Sequence, residues 1–591
     1  MTRKHVLTKI LCLLFLPFLL NAKILYAQFP VLLKHKEIKS VLHYELHGVK
    51  GKVRKNIQAR LSVLIKSYQG NTSAKQYQAF VQQAPEQILK AMQPYAYYKP
   101  QIQASLLSPE TPNMHAVFNI EQGPQLLVTK LTIVLEGPGR NEPFFQKVVK
   151  SFPLKEGEPL LIQKYNRGKQ AFMDTATQEG YLKAEMTTSE ILVNLDHYTS
   201  QITLRFNTGK RFYFGDVTFS KTPFNEDYLR RYIPFARGAP FSPNELTVLQ
   251  DDLSSSEQFK QITVLPEYND VQNQSVPVLV ELTPAPSQSY TFGAGYGTDT
   301  GVRGTVGWNL LRVTPSGHKF QALIQASQLQ DSIQAQYIIP GQHPTTEEYA
   351  ITGSVYNLNY PGSQSNAAQL SGAYRTHVGD FNAVYSLNAL YEHYTIEQDP
   401  SQNAFVLYPS ANWKKRVADN AIFAKNGYSI SFTTQGSAEA LGSSVSFAQA
   451  EAVGKWAKTI RPLHSRIYTR ADVGMTSVND INNLPPSLQF YTGGAQSVRG
   501  YSYQSLGPGK ALIAASAEWQ QEVIKNGYLT FFYDAGNAFN GAVQLMRSRG
   551  AGIMWVTPIG PLHLSVAQVL DETPNNSSGS WHVVFSMGPD L

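Results

Sequence analysis

Arg499 is the residue in this chain whose surroundings most demand a partner. It lies in Val498-Arg499-Gly500-Tyr501, shortly after Gly493 and Gly494, late in a C-terminal half patterned as β-strands. In a membrane barrel, an arginine on the lipid face costs roughly 2–4 kcal/mol at mid-depth. Arg499 therefore belongs in the lumen or in water, and in a dry site it calls for a carboxylate. Asp534 is the candidate. Strand alternation in residues 528–539 sets Leu529, Phe531 and Tyr533 on one face and Thr530, Phe532 and Asp534 on the other, pointing Asp534 inward. Glu518 is a third candidate, sharing a face with Leu512, Ala514 and Ser516 opposite the more apolar Ile513, Ala515, Ala517 and Trp519. Such a set pairs charges and makes no covalent bond. For the tetrapeptide alone, a loop arginine in water is the alternative reading.

The elements that would position these residues are strands. Residues 288–591 alternate in hydropathy between turn clusters such as Pro340-Gly341 and Asn359-Tyr360-Pro361-Gly362. Phe381, Ala383, Tyr385, Leu387, Ala389 and Tyr391 form one face against Asn382, Ser386, Asn388 and Glu392. Apolar positions facing lipid and polar positions facing a lumen describe a transmembrane β-barrel. At about 10 residues per strand plus a connection, this region holds on the order of 16 antiparallel strands. A pair of soluble β-sandwiches is the alternative, disfavoured by the many tyrosines, which suit interfacial girdles, and by polar inward positions.

Three stretches, Val498-Arg499-Gly500-Tyr501, Phe532-Tyr533-Asp534-Ala535-Gly536 and Pro558-Ile559-Gly560-Pro561-Leu562, occur in the order that resembles the signature of the BamA/TamA outer-membrane assembly superfamily, its TamA group most of all. The resemblance implies an inward-folded loop carrying Val498, Arg499, Gly500 and Tyr501, docked on the barrel wall through Asp534, with Glu518 as the third member. It further implies three periplasmic POTRA modules, unfolded outer-membrane client proteins and outer-membrane lipid as partners, and a large TamB-like protein, anchored in the inner membrane and crossing the periplasm, bound by the first module.

Residues 28–287 agree with that expectation on their own pattern, repeating strand, amphipathic helix and strand three times. The modules are expected at 28–125, 126–209 and 210–287, with Phe214-Gly215-Asp216-Val217 the closest local match to the family. Pro284-Ala285-Pro286-Ser287 reads as the linker to a barrel over 288–591. Residues 1–27 have the layout of a secretory signal: Arg3, Lys4 and Lys9, an apolar run, then Ala22 and Ala27. The single cysteine, Cys12, lies within it, so the mature chain is expected to have no thiol and no disulfide. Removing the signal takes four basic residues and no acid from the net charge of +8, leaving +4. That is mild for the length and gives no sign of nucleic-acid binding, only weak attraction to anionic headgroups.

No cofactor or enzyme motif stands up. Asp299-Thr300-Gly301 has no second copy for an aspartic protease, Gly293-Ala294-Gly295-Tyr296-Gly297 lacks dinucleotide spacing, and no histidine, His393 included, has zinc-site spacing. Function is expected instead at the junction of the first and last strands. Tyr290, Phe292, Ala294 and Tyr296 would face lipid, with Thr291, Gly293, Gly295 and Gly297 inward; in the last strand Trp581, Val583, Phe585 and Met587 would face outward. The glycines either weaken this edge or make room for the inward loop. A seam at Tyr290, Phe292, Gly293, Gly295, Val583, Phe585 and Met587 that opens sideways would template a client strand, and Phe292 with Phe585 is the first pair at which to join the two edges. A two-partner secretion pore, usually with two modules, and a passive porin are the alternatives.

Overall fold

The computed structural model describes residues 42–68, 74–107, 115–298, 301–360, 362–396, 400–558, 560–574 and 576–588. The signal segment with Cys12, Asp299-Thr300 and the chain's last three residues lie outside these. The first two modules form one compact unit; the third module and the barrel form another.

Each module begins with a strand, passes through two helices and ends with two strands. In the first these are Tyr44–His47, Gly51–Lys66, Ala74–Met92, Gln101–Leu107 and His115–Glu121. The last strand is central, parallel to the first and antiparallel to the fourth element. The second module repeats the plan from Leu127–Glu136 to Thr199–Asn207, and the third from Tyr213–Phe219 to Ser275–Pro284. The helices form because their apolar residues recur at helical spacing and can cover one sheet face. Ile57, Leu61, Phe80 and Phe118 close the first core, and Phe145, Phe172 and Phe206 the second.

The third module packs on two turns of the barrel. The Asn225 amide donates to the Pro315 carbonyl at 2.9 Å, Gln258 Nε2 to the Gly317 carbonyl at 3.0 Å, and Arg231 Nη1 to the Gly341 carbonyl at 3.3 Å. Gly317 lies under the Tyr228 ring, where a Cβ would come within 2.2 Å of it. Burial pushes the Tyr228 hydroxyl up to about 12, so it stays neutral beside the Tyr232 hydroxyl at 2.7 Å. The linker is tied down as well, its Ala285 amide donating to the Gln258 carbonyl at 2.8 Å.

The barrel is one sheet of sixteen antiparallel strands in sequence order, not a sandwich, from Gln288–Gly297 to Trp581–Met587. No helix among the described residues is long and apolar enough to cross a membrane; the strands do so. Alternation sorts the faces: Tyr385, Leu387 and Tyr391 of the seventh strand (Phe381–Ile396) are exposed, while Asn388 and Glu392 are buried. The lumen is not uniformly polar, however. Leu390 and Tyr394 also point inward and are buried, because they pack against residues 481–488 of the long connection that enters the barrel.

Beside Gly293 and Gly295 of the first strand the space is taken by side chains of the neighbouring strand and not by the inward loop. The glycines alternate with larger side chains of the second strand (Gly301–Leu310): a Cβ on Gly293 would lie 2.3 Å from Thr305 Oγ1, one on Gly295 2.8 Å from Arg303 Nε, and one on Gly307 2.3 Å from Thr291 Oγ1. Thr305 and Arg303 are the register partners of Gly293 and Gly295 in an unbroken ten-pair ladder. Small against large across the pair keeps this edge joined to its neighbour. Gly293→Val should therefore overpack and lower barrel stability by about 1–3 kcal/mol, whereas the exchange Gly293→Thr with Thr305→Gly should restore it. Thermal unfolding of the detergent-solubilised barrel, followed by its shift in gel mobility, checks both.

Candidate functional site

Residues 479–510 connect the eleventh strand (Ser465–Val478) to the twelfth (Ala511–Ile524) at the end of the barrel away from the third module. The connection turns inward through a short hairpin of Phe490–Thr492 and Leu506–Gly509. Two glycines shape its tip. Gly493 has φ +107° and would put a Cβ 2.4 Å from the Ser502 carbonyl oxygen; Gly500 has φ +95° and lies against Val569 and Ala567. Both conformations disfavour any residue with a Cβ. Val498 and Tyr501 bury themselves with Leu506 and Val569. The Tyr501 hydroxyl reaches the Asp571 carbonyl at 2.9 Å and the Arg547 carbonyl at 3.2 Å.

Between those two apolar side chains Arg499 extends to the wall. Its Nε donates to Asp534 Oδ2 at 2.7 Å, its Nη2 to Asp534 Oδ1 at 2.8 Å and its backbone amide to Asp534 Oδ2 at 3.1 Å. Nη1 donates to Glu518 Oε2, and the guanidinium lies 3.5 Å from the centroid of the Phe532 ring. Asp534 is fully buried, Glu518 nearly so. Ser516, directly opposite Asp534 in the ladder to the thirteenth strand (Gly527–Phe539), donates to Asp534 Oδ1 at 2.6 Å and accepts from Arg499 Nη2 at 3.1 Å. Opposite charges, fully bonded and stacked on an aromatic, can offset the desolvation of burying three ions.

Several participants were not singled out from sequence. Gln520, two residues from Glu518 on the same face, donates to Glu518 Oε1 at 2.7 Å. It accepts at 2.5 Å from Nη1 of Arg466, a fully buried arginine whose Nε donates to the Ala424 carbonyl at 2.9 Å. A chain of buried polar groups thus runs along the inner wall from the Asp419–Asn426 turn on the module side to the loop tip. Arg470 donates to the Gln496 carbonyl and, at 3.2 Å, to Asp472 Oδ2. Inward parity was a usable signal for Gln520 and Arg466; their partners depended on register.

The first and last strands meet differently from every other neighbouring pair. Among the described residues no ladder joins them. The Phe585 amide donates to Thr298 Oγ1 at 3.0 Å, and the Tyr296 and Phe585 rings lie 6.4 Å apart. Phe585 thus stands opposite Tyr296, four residues along from Phe292. Tyr290, Phe292, Trp581 and Val583 are exposed on the outer face, but Phe585 and Met587 are half-buried, bordering a cavity of about 230 Å³ with Arg303, Gln325 and Gln496.

Residues 316–590 match the model of the Omp85 superfamily domain. The barrel is an Omp85 superfamily domain. Residues 43–122 match the POTRA domain described as TamA domain 1, which makes the first module a TamA-type POTRA domain. An Omp85 barrel preceded by POTRA modules places the chain in the outer membrane of a Gram-negative cell with the modules in the periplasm. Among solved structures, BamA from Haemophilus ducreyi lacking POTRA domains 1–3 is similar at 15% identity, covering 78% of this chain and 99% of that one, with a TM-score of 0.65. CdiB from Acinetobacter baumannii is similar at 14% identity over 79% of this chain and 90% of that one, with a TM-score of 0.46. The likeness to BamA is one of fold.

Within the Omp85 barrel, Asp534 accepts three bonds from Arg499 and one from Ser516, while Glu518 accepts one from each of Arg499 and Gln520. Asp534→Ala is thus expected to destabilise by about 3–5 kcal/mol, the scale for stranding a buried partner, and Glu518→Ala by less. The Arg499→Ala/Asp534→Ala double variant should be no less stable than Asp534→Ala alone. Thermal unfolding of these three variants, Arg499→Ala and the parent chain in detergent tests the order, and additive losses from Arg499→Ala and Asp534→Ala would show that the two residues do not act as a pair.

Proposed function

We propose that this chain is an outer-membrane assembly factor that inserts or translocates client proteins, autotransporter-like barrels among them, through its lateral seam. The observation that carries this reading is the joint between Gln288–Gly297 and Trp581–Met587, which among the described residues lacks the ladder every other neighbouring pair has. In hydrocarbon an unpaired backbone group costs several kcal/mol. An edge with few bonds to lose is therefore the cheapest place to part. Once parted, its free N–H and C=O groups offer an incoming strand a template, and each new bond offsets the cost of exposure.

The ion set at Arg499, Asp534 and Glu518 holds the inward loop in place while the seam moves, keeping the rest of the barrel in shape. The periplasmic modules receive clients, and the first, whose sequence is of the TamA type, binds a large TamB-like protein anchored in the inner membrane. Outer-membrane lipid is the third partner, bordering the opened seam. Three modules favour this reading over a two-partner secretion pore, and so long a periplasmic arm disfavours a passive porin. No step requires covalent chemistry or a cofactor.

The test joins the edges where they meet. Cysteines replacing Tyr296 and Phe585, linked with a reducible thiol crosslinker, should stop assembly of a client autotransporter in cells or reconstituted vesicles, and reduction should restore it. Normal assembly by the linked protein would remove lateral opening from the mechanism.

A further inference from the structure

The inward loop has a second attachment, far from Arg499. On the seventh strand Glu392 is fully buried and points into the lumen. Its Oε2 accepts from the Ser487 hydroxyl and its Oε1 from the Ser487 backbone amide at 3.3 Å. No lysine, arginine or histidine pairs with Glu392 among the described residues; Ser487 of the loop, with Ser365 of the neighbouring strand beside it, supplies its polar contacts. Around that contact Ile481, Leu484 and Leu488 of the loop pack on Leu390, Tyr394, Val406, Tyr408 and Phe447 of the wall. Gln449 Nε2 donates to the Leu488 carbonyl at 2.9 Å, and the Tyr394 hydroxyl donates to the Asn482 carbonyl at 3.3 Å.

Arg499 holds the same loop to the twelfth and thirteenth strands, five and six places around the sheet from Glu392. A segment fixed at two such points is a chord across the barrel. We propose that the loop is a strut with two independent anchors, Arg499 with Asp534 and Glu518 at one end and Ser487 with Glu392 and its apolar surround at the other. The strut fixes the width between the seventh and thirteenth strands. The wall between those ends, strands eight to twelve, is braced, and because Val498 and Tyr501 also hold the loop tip at Val569, Arg547 and Asp571, movement is concentrated in the first strands and at their junction with the last. The lumen agrees: the apolar cluster fills the side of strands six to ten, while the cavity of about 230 Å³ lies beside strands one to three and the last strand.

The experiment measures loop release without a client, so its outcome is independent of the assembly reading. Ser487→Ala, Glu392→Ala, their double variant, Arg499→Ala and Arg499→Ala/Ser487→Ala would be purified as full chains, with gel mobility shift on heating confirming a folded barrel. Each would be followed by single-channel conductance in planar bilayers and by protease cleavage of the loop. Ser487→Ala and Glu392→Ala should each raise the frequency of large openings and the cleavage rate about tenfold, the scale of a lost hydrogen bond to a charged group. Their double variant should match the singles, and adding Arg499→Ala should raise both further. Wild-type conductance and cleavage in Ser487→Ala, with release in Arg499→Ala, would show that the loop has one anchor and overturn the strut. Should Glu392→Ala fail to fold, Ser487→Ala, which removes only a loop hydroxyl, decides alone.

Discussion

Hydrocarbon offers no partner to a backbone N–H or C=O, so a strand in a membrane must be bonded along both edges. That constraint shapes this barrel more than any side-chain contact. It forces sixteen strands into one continuous sheet, each laddered to the next from the first strand to the last, with a register shift only at Glu522/Ile524 among the described residues. It also forces charge inward, because the outer face that meets lipid can carry residues such as Ile351, Leu387 and Ile553 but not Glu392 or Asp534. Only the junction of the two ends escapes it, and there one backbone amide meets a side-chain hydroxyl in place of a ladder.

Charge sent inward must then be satisfied. The lumen does this with groups arranged by strand parity: Glu518 and Gln520 follow one another on one strand, Asp534 on the next faces Ser516, and Arg466 on the strand before bonds Gln520 opposite it and the Ala424 carbonyl. Arg499 arrives from the loop and completes the set. A positive side chain with two carboxylates, a serine and an aromatic face leaves no orphaned group at the guanidinium, which is the condition under which a buried ion holds structure together rather than weakening it.

Much of this was legible because strands have a period of two. Asp534, Phe532 and Thr530 take their inward direction from alternation alone, and the β-α-α-β-β order of each module follows from helical spacing between strand-like runs. What alternation does not carry is register and what fills the lumen. That Thr305 and Arg303 occupy the space left by Gly293 and Gly295 depends on which residues face each other across strands one and two, and one step of register would change it. Leu390 and Tyr394 are apolar on a luminal face because residues 481–488, which cover them, come from a connection distant in sequence. The position of Phe585 opposite Tyr296 instead of Phe292 is likewise a matter of stagger between chain ends, which no local pattern encodes.

The magnitudes settle which joint yields first. Among the described residues, parting the seam loses one hydrogen bond and one ring contact, about 0.5–1.5 kcal/mol each. Parting the first strand from the second would break a ten-pair ladder in which side chains interlock, and parting the last from its neighbour a seven-pair ladder. Freeing the loop at Arg499 would strand buried charge, at about 3–5 kcal/mol. Among the described residues, the order of these costs leaves the junction of first and last strands the least bonded joint in the wall. The loop adds to the contrast by tying the seventh strand to the twelfth, thirteenth and fifteenth. Stiffness along the ladders and sparse bonding at the junction are thus two consequences of the same distribution of bonds.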